Sequence, residues 1–240
     1  MILEVKGITK RFGGLTACDN ISFSVDENEI LGLIGSNGAG KTTLFNMISG
    51  TIKPTQGEVI FKGTKISGLE VDSICKLGIV RTFQIVKPFR YLTVMENVLV
   101  GAYNRANSSN QAMEIADEAL EYLGLYDKRN VLAKELTLAQ TKKLEVARAL
   151  ATGPQVLLLD EVMAGLNNTE VNEMMDTIKR LRDERKLTII AVEHVMKAIM
   201  GISDRIIVLN EGRKIAEGLP SDVIQNPEVI KSYLGEKAYA

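Results

Sequence analysis

Ile30-Leu31-Gly32-Leu33-Ile34-Gly35-Ser36-Asn37-Gly38-Ala39-Gly40-Lys41-Thr42-Thr43 joins a continuous apolar run to a glycine-rich loop, and a helical stretch from Thr43 to Ile48 follows, closed by Gly50. An unbroken apolar run of this kind is the pattern of a strand buried on both faces. From Gly35 to Thr42 every fixed position of G-x-x-x-x-G-K-[ST] is filled, after a buried strand and before a helix, where phosphate chemistry needs it. The glycines let backbone N–H groups converge on phosphate oxygens, and the helix N-terminus adds favourable partial charge. Lys41 is expected to bridge the β- and γ-phosphates and Thr42 to offer its hydroxyl to Mg²⁺. The expected binding set is Gly35, Ser36, Asn37, Gly38, Ala39, Gly40, Lys41, Thr42 and Thr43.

Such a loop does not separate kinases, GTPases, helicases and transport ATPases, so a second site has to. Val156-Leu157-Leu158-Leu159-Asp160-Glu161 is an apolar strand ending in two adjacent carboxylates. Asp160, at the end of a parallel strand beside the loop, is placed to hold Mg²⁺. Alternation along an extended chain points Glu161 elsewhere, toward an attacking water as general base. His194 ends the next buried strand, Leu187 to Val192, on the same sheet edge, and is expected to hydrogen-bond the γ-phosphate and the water. Gln84, in Arg81-Thr82-Phe83-Gln84, reads equally as a sensor of Mg²⁺ or water and as a solvated loop residue.

Outward from these sites, Ile2 to Val5, Ile21 to Val25 and Glu58 to Phe61 read as short strands. Beta-branched runs thin out from 87 to 152, where Gln111 to Leu123 carries Met113, Ala116, Ala119, Leu120 and Leu123 at helical spacing and Asn104 to Asn110 reads as a loop. Lys142 to Leu150 is again helical, with Leu144, Ala147 and Leu150 on one side. After Gly153-Pro154, strand and helix alternate: Val156 to Leu159, a helix from Val171 to Arg185, then Leu187 to Val192. Arg205 to Leu209 and Lys214 to Ala216 flank Asn210-Glu211-Gly212-Arg213, a hairpin signal. The expected fold is α/β: a P-loop NTPase core with a mostly parallel sheet, an antiparallel β subdomain and an inserted α-helical subdomain. The core is expected over 1–86 and 153–240 and the insertion over 87–152, as one domain overall.

Composition narrows the chemistry. The chain has 240 residues, 29 Lys+Arg against 30 Asp+Glu, and a net charge of −1, which argues against a nucleic-acid binder working by bulk charge. No apolar run is long enough to span a bilayer, and the first residues lack the pattern of a secretory signal. Cys18 and Cys75 stand far apart, fitting neither a zinc site nor a disulfide framework. With His194 the only histidine, a multi-histidine metal site is excluded.

Together these residues resemble the ATP-binding cassette family from about Leu3 to Gly235. The resemblance implies that Phe12, within Lys10-Arg11-Phe12-Gly13-Gly14, stacks on adenine. It implies that Gln84 is the family's glutamine loop and a Mg²⁺ contact, Asp160-Glu161 its Walker B pair and His194 its switch histidine. Leu136-Thr137-Leu138-Ala139-Gln140 occupies the signature position, so Thr137, Ala139 and Gln140 are expected at nucleotide. Gly78 to Gln84, Leu92 to Val98, Ala164-Gly165-Leu166-Asn167 and Asn226 to Gly235 are similar to ATPases of branched-chain amino acid importers. The implied ligands are ATP and Mg²⁺. The implied partners are transmembrane permease subunits, a second cassette (a copy or a paralogue) and, indirectly, a periplasmic or extracellular substrate-binding protein, with no nucleic acid. The implied location is peripheral, at the cytoplasmic face of the membrane. Three departures stand out. Thr137 and Ala139 replace the usual serine and glycine of the signature, Val162 replaces a proline, and Asn167 replaces an aspartate. Importers of another solute, exporters, soluble cassettes of translation or DNA repair and a low-activity nucleotide switch stay open as alternatives.

Overall fold

The computed structural model describes residues 1–82 and 88–234, with side chains up to 232. The chain opens with β1 (Leu3–Phe12), β2 (Leu15–Val25) and β3 (Ile30–Gly35), then α1 (Lys41–Ile48). It continues through β4 (Gln56–Phe61), β5 (Thr64–Lys65), α2 (Val71–Leu77) and β6 (Ile79–Arg81). Three helices follow, α3 (Val94–Ala102), α4 (Ser109–Tyr122) and α5 (Leu138–Ala151). Next come β7 (Val156–Asp160), α6 (Asn168–Arg185), β8 (Thr188–Val192) and α7 (Met196–Ile202). The last described elements are β9 (Arg205–Asn210), β10 (Arg213–Gly218), α8 (Pro220–Val223) and α9 (Pro227–Leu234).

Two sheets carry the fold. One is antiparallel, in the order β2-β1-β4-β5; the other runs β10-β9-β3-β8-β7-β6, parallel except for β10. The apolar runs of the parallel strands are continuous because both faces are covered. Leu31, Leu33, Leu158, Ile190 and Ile207 face a core shared with α1 and the antiparallel sheet. Their neighbours Ile30, Ile34, Leu157, Ile189 and Val208 face a second core shared with α3 to α7. Each such fully buried side chain contributes roughly 1.5–3 kcal/mol by leaving water.

Several local expectations need correction. The strand expected over Ile2–Val5 runs on to Phe12, because bulges around Gly7 break the alternation while preserving the pairing with β2. The helix expected from Lys142 begins at Leu138, where Thr137 and Gln140 close a reciprocal capping box. The expected loop 104–110 is shortened by α4, which Ser108 caps through the N–H of Gln111. Met113 lies on the outer face of α4, while Ala112, Ala116, Ala119 and Leu120 form its buried stripe. Small alanines there let the helices of this block approach closely, an effect that side-chain hydrophobicity alone does not register. The α3 helix, also marked by a capping box (Thr93 and Glu96), presses Gly101 against α5 so closely that a Cβ would lie 2.2 Å from the Arg148 carbonyl oxygen. The hairpin between β9 and β10 turns on Glu211 and Gly212, both at positive φ (47° and 79°), as a two-residue hairpin requires.

Candidate functional site

The glycine-rich loop leaves β3 at Gly35 and enters α1 at Lys41, two residues earlier than the helix expected from Thr43. Gly40 caps α1 at φ 101°, and a Cβ there would meet the Ala17 carbonyl oxygen at 2.5 Å. A glycine cap has no side-chain acceptor, so the first-turn N–H groups of α1 stay available to an anion. The turn between β9 and β10 backs the loop, Gly212 donating its N–H to the Ala39 carbonyl at 3.1 Å. Lys41 is buried and folds over the loop, donating to the carbonyl oxygens of Gly35 (2.7 Å) and Ser36 (2.9 Å). Burial pulls its pKa down, while Glu161 and Asp160 oppose that pull, so both carboxylates act on the ammonium. Thr42 is exposed and Thr43 half-buried. Phe12, 48% exposed at the end of β1, has the Lys10 ammonium 5.2 Å from its ring centroid.

Parallel pairing of β7 with β8 aligns Asp160 with Val192, so the two strands end together. Asp160 is 1% exposed and clamped: Arg81 donates to its Oδ2 at 2.5 Å, and its own N–H donates to the Thr82 hydroxyl at 3.0 Å. Arg81 also donates to Asn46 on α1 and lies 5.6 Å from the Phe45 ring centroid. Glu161 leaves the strand at φ 52°. Its direction therefore comes from a left-handed turn rather than from strand alternation, a conformation that costs a non-glycine residue about 1–3 kcal/mol. The turn is held at both ends: the Glu161 N–H donates to Val192 O at 2.9 Å, and its carbonyl accepts from the buried Lys142 ammonium at 2.9 Å. So turned, Glu161 brings its carboxylate Oε1 to 2.8 Å from Nε2 of His194, which stands two residues beyond the end of β8. An Nε2–H at that distance donates to the carboxylate.

Three residues of this cluster are absent from the expected set. Arg81 and Lys142 show no local signal, since their partners lie 79 and 19 residues away. Glu193 carries one, a carboxylate directly after an apolar strand. It is 2% exposed, accepts the Met163 N–H at 2.8 Å through Oε1, and its Oε2 has no hydrogen-bond partner among the described residues. Burial pushes its pKa up to about 7.

Thr137, Ala139 and Gln140 sit at the start of α5, where Thr137 and Gln140 hydrogen-bond each other and Thr137 O accepts from the Thr141 hydroxyl at 2.8 Å. Leu138 is half exposed and reaches the loop at Gly165. Two of the departures from the family pattern are helix caps: Thr137 on α5, and Asn167, which accepts the N–H groups of Thr169 and Glu170 at 3.0 Å each on α6. Either position works with the residue present as well as with the usual one. Val162 is fully buried. Gln84 lies outside the described residues.

A family model described as ABC transporter matches residues 18–164, and one described as branched-chain amino acid ATP-binding cassette transporter matches 213–239. The chain is 43% identical to the high-affinity branched-chain amino acid transport ATP-binding protein LivG of Salmonella typhimurium, covering 98% of each chain. It is 42% identical to BraF of Pseudomonas aeruginosa, a protein of the same description, again over 98% of each. A solved nucleotide-free ATP-binding cassette from an ABC transporter superposes with a TM-score of 0.89 at 32% identity, over 98% of this chain and 99% of that one.

Proposed function

We propose, since this chain belongs to the ABC transporter family, that it is the ATP-hydrolysing subunit of an importer for branched-chain or related amino acids. The observation that carries the catalytic part is the pair formed by Glu161 and His194 at 2.8 Å, on the sheet edge where both Glu161 and Asp160 act on the Lys41 ammonium. The cargo class rests on the likeness to LivG and BraF and on the match at 213–239.

In this reading the phosphates of ATP take the N–H groups at the start of α1, and Lys41 exchanges the Gly35 and Ser36 carbonyls for β- and γ-phosphate oxygens. Phe12 offers a flat face to adenine. Glu161 takes a proton from water, the water oxygen bonds to the γ-phosphorus, and the bond to the bridging oxygen breaks to give ADP and phosphate. His194 orients the carboxylate through Nε2–H. The donor set fits Mg²⁺, a hard cation that takes oxygen ligands and keeps waters: an exposed Thr42 hydroxyl and a rigid Asp160 carboxylate with one oxygen on Arg81. Thr42 and Asp160, with Gln84, would hold the ion, which would supply positive charge against the phosphates.

Residues 137–140 hydrogen-bond one another and Thr141, not the loop at 35–43. The likeness to ATP-binding cassettes assigns them to the nucleotide of a second cassette, facing its phosphate loop. The helical block over 87–152 is assigned as the subdomain that docks on permease subunits at the cytoplasmic face of the membrane, with a substrate-binding protein delivering cargo on the far side. Among the described residues no helix is long and apolar enough to cross a membrane.

Glu161→Gln tests the reading. In the purified transporter complex, steady-state phosphate release should fall by about 10²–10⁴-fold, the contribution typical of a general base, while ATP binding persists. Multiple turnover at the wild-type rate would remove Glu161 from the role.

A further inference from the structure

We infer that Lys142 is a positioning residue that ties the start of α5 to Glu161, so that occupation of residues 137–140 by the second cassette's nucleotide sets the orientation of the general base. This rests on the assignments of Glu161 and of the signature residues made above. Lys142 is 4% exposed, and a buried ammonium needs a defined partner. Its hydrogen-bond acceptor is the carbonyl of Glu161 at 2.9 Å, the residue whose left-handed turn aims the carboxylate at His194. Besides the Ala164 N–H of the turn itself, 3.2 Å from the Glu161 carbonyl oxygen, the turn is held from neighbouring elements by the Val192 carbonyl from β8 and the Lys142 ammonium from α5. The first belongs to the same sheet and moves with Glu161. The second belongs to the helix whose N-terminal residues are Leu138, Ala139 and Gln140.

A helix is stiff along its axis, and Lys142 lies about 6 Å along it from Leu138 at 1.5 Å per residue. A shift of the first turn therefore reaches the Glu161 carbonyl through one side chain. Lys142 also lies close enough to Glu193 for its charge to act on that carboxylate. Glu193 in turn holds the Met163 N–H in the loop after Glu161. The segment on either side of the base is thus restrained from α5 on one side and from the end of β8 on the other.

Lys142→Met should lower kcat for ATP hydrolysis in the purified complex by about tenfold or more, the scale on which small misplacements of catalytic groups act. KM for ATP should stay within about twofold, because Lys142 touches no expected nucleotide ligand. Lys142→Arg, which keeps a long donor, should recover most of kcat; Lys142→Gln, polar but too short, should not, and it serves where Met is not tolerated. Wild-type kcat in both Lys142→Met and Lys142→Gln would overturn the inference. So would full recovery in Lys142→Met combined with Glu193→Gln, which would make Lys142 only a counter-charge. Glu161→Gln, assayed alongside, separates the two levels. Inactive Glu161→Gln beside Lys142→Met at the wild-type kcat sinks this inference alone, whereas active Glu161→Gln sinks it together with the assignment of the base.

Discussion

Glu193→Gln removes a titrating group from the most buried part of the site without removing the acceptor that Met163 uses. Burial raises the Glu193 carboxyl from an ordinary 4.5 to about 7. Below about 4.5 the group is protonated in both the folded and the unfolded chain; above about 7 it is ionised in both. Between those limits the folded chain holds the extra proton, so stability falls as pH rises through the window. With a rise from 4.5 to about 7 and about 1.4 kcal/mol for each pH unit, the full loss approaches about 3 kcal/mol. Glutamine does not titrate, so its own cost, an amide N–H₂ placed where Oε2 lacks a partner, is the same at every pH. Urea unfolding of both proteins at pH 5 and pH 8 isolates the linkage. The stability of the wild type relative to Glu193→Gln should drop by about 2–3 kcal/mol between the two conditions. A difference that stays constant within about 0.5 kcal/mol would refute the assignment of an elevated pKa to this carboxyl.

Gly101→Ala should destabilise the chain by about 1–3 kcal/mol, seen as a lower Tm, since its Cβ would sit 2.2 Å from Arg148 O and push α3 off α5; an unchanged melt would mean the helices separate freely. Phe12→Ala should weaken ATP binding by about 0.5–1.5 kcal/mol, read by titration of the isolated chain, and an unaltered Kd would exclude stacking at this ring. Thr137→Ser with Ala139→Gly leaves α5 capped, because serine caps as threonine does, and removes a Cβ at the position proposed to face the second cassette's phosphates. Turnover of the assembled transporter should therefore rise; an unchanged rate would show that the altered signature is no handicap.

The parallel strands β3, β7 and β8 were readable as apolar runs because each buries both faces, and burial on both faces leaves no polar alternation to confuse the pattern. The starts of α3, α5 and α6 were written locally too, in Thr93 with Glu96, Thr137 with Gln140 and Asn167 with Glu170, although only the capping geometry makes those pairs conspicuous. Strand β1 was cut short because its bulges at Gly7 interrupt the alternation, and on α4 Ala116, Ala119, Leu120 and Leu123 are buried as expected while Met113 points outward and small Ala112 takes the buried place.

The phosphate loop belongs to the chain's own local order: strand, glycines, lysine and helix are contiguous, and backbone geometry over fourteen residues, 30 to 43, is enough to aim N–H groups at an anion. The proposed catalytic arrangement does not have that locality. Arg81 clamps Asp160 across 79 residues of sequence, and Lys142 grips Glu161 from another helix. His194 meets Glu161 because β7 and β8 end in register, and because Glu161 takes a left-handed turn that strand alternation does not foresee. Contacts of this kind follow from strand order, register and helix packing, and those are settled by burial of the two cores rather than by any short stretch of residues.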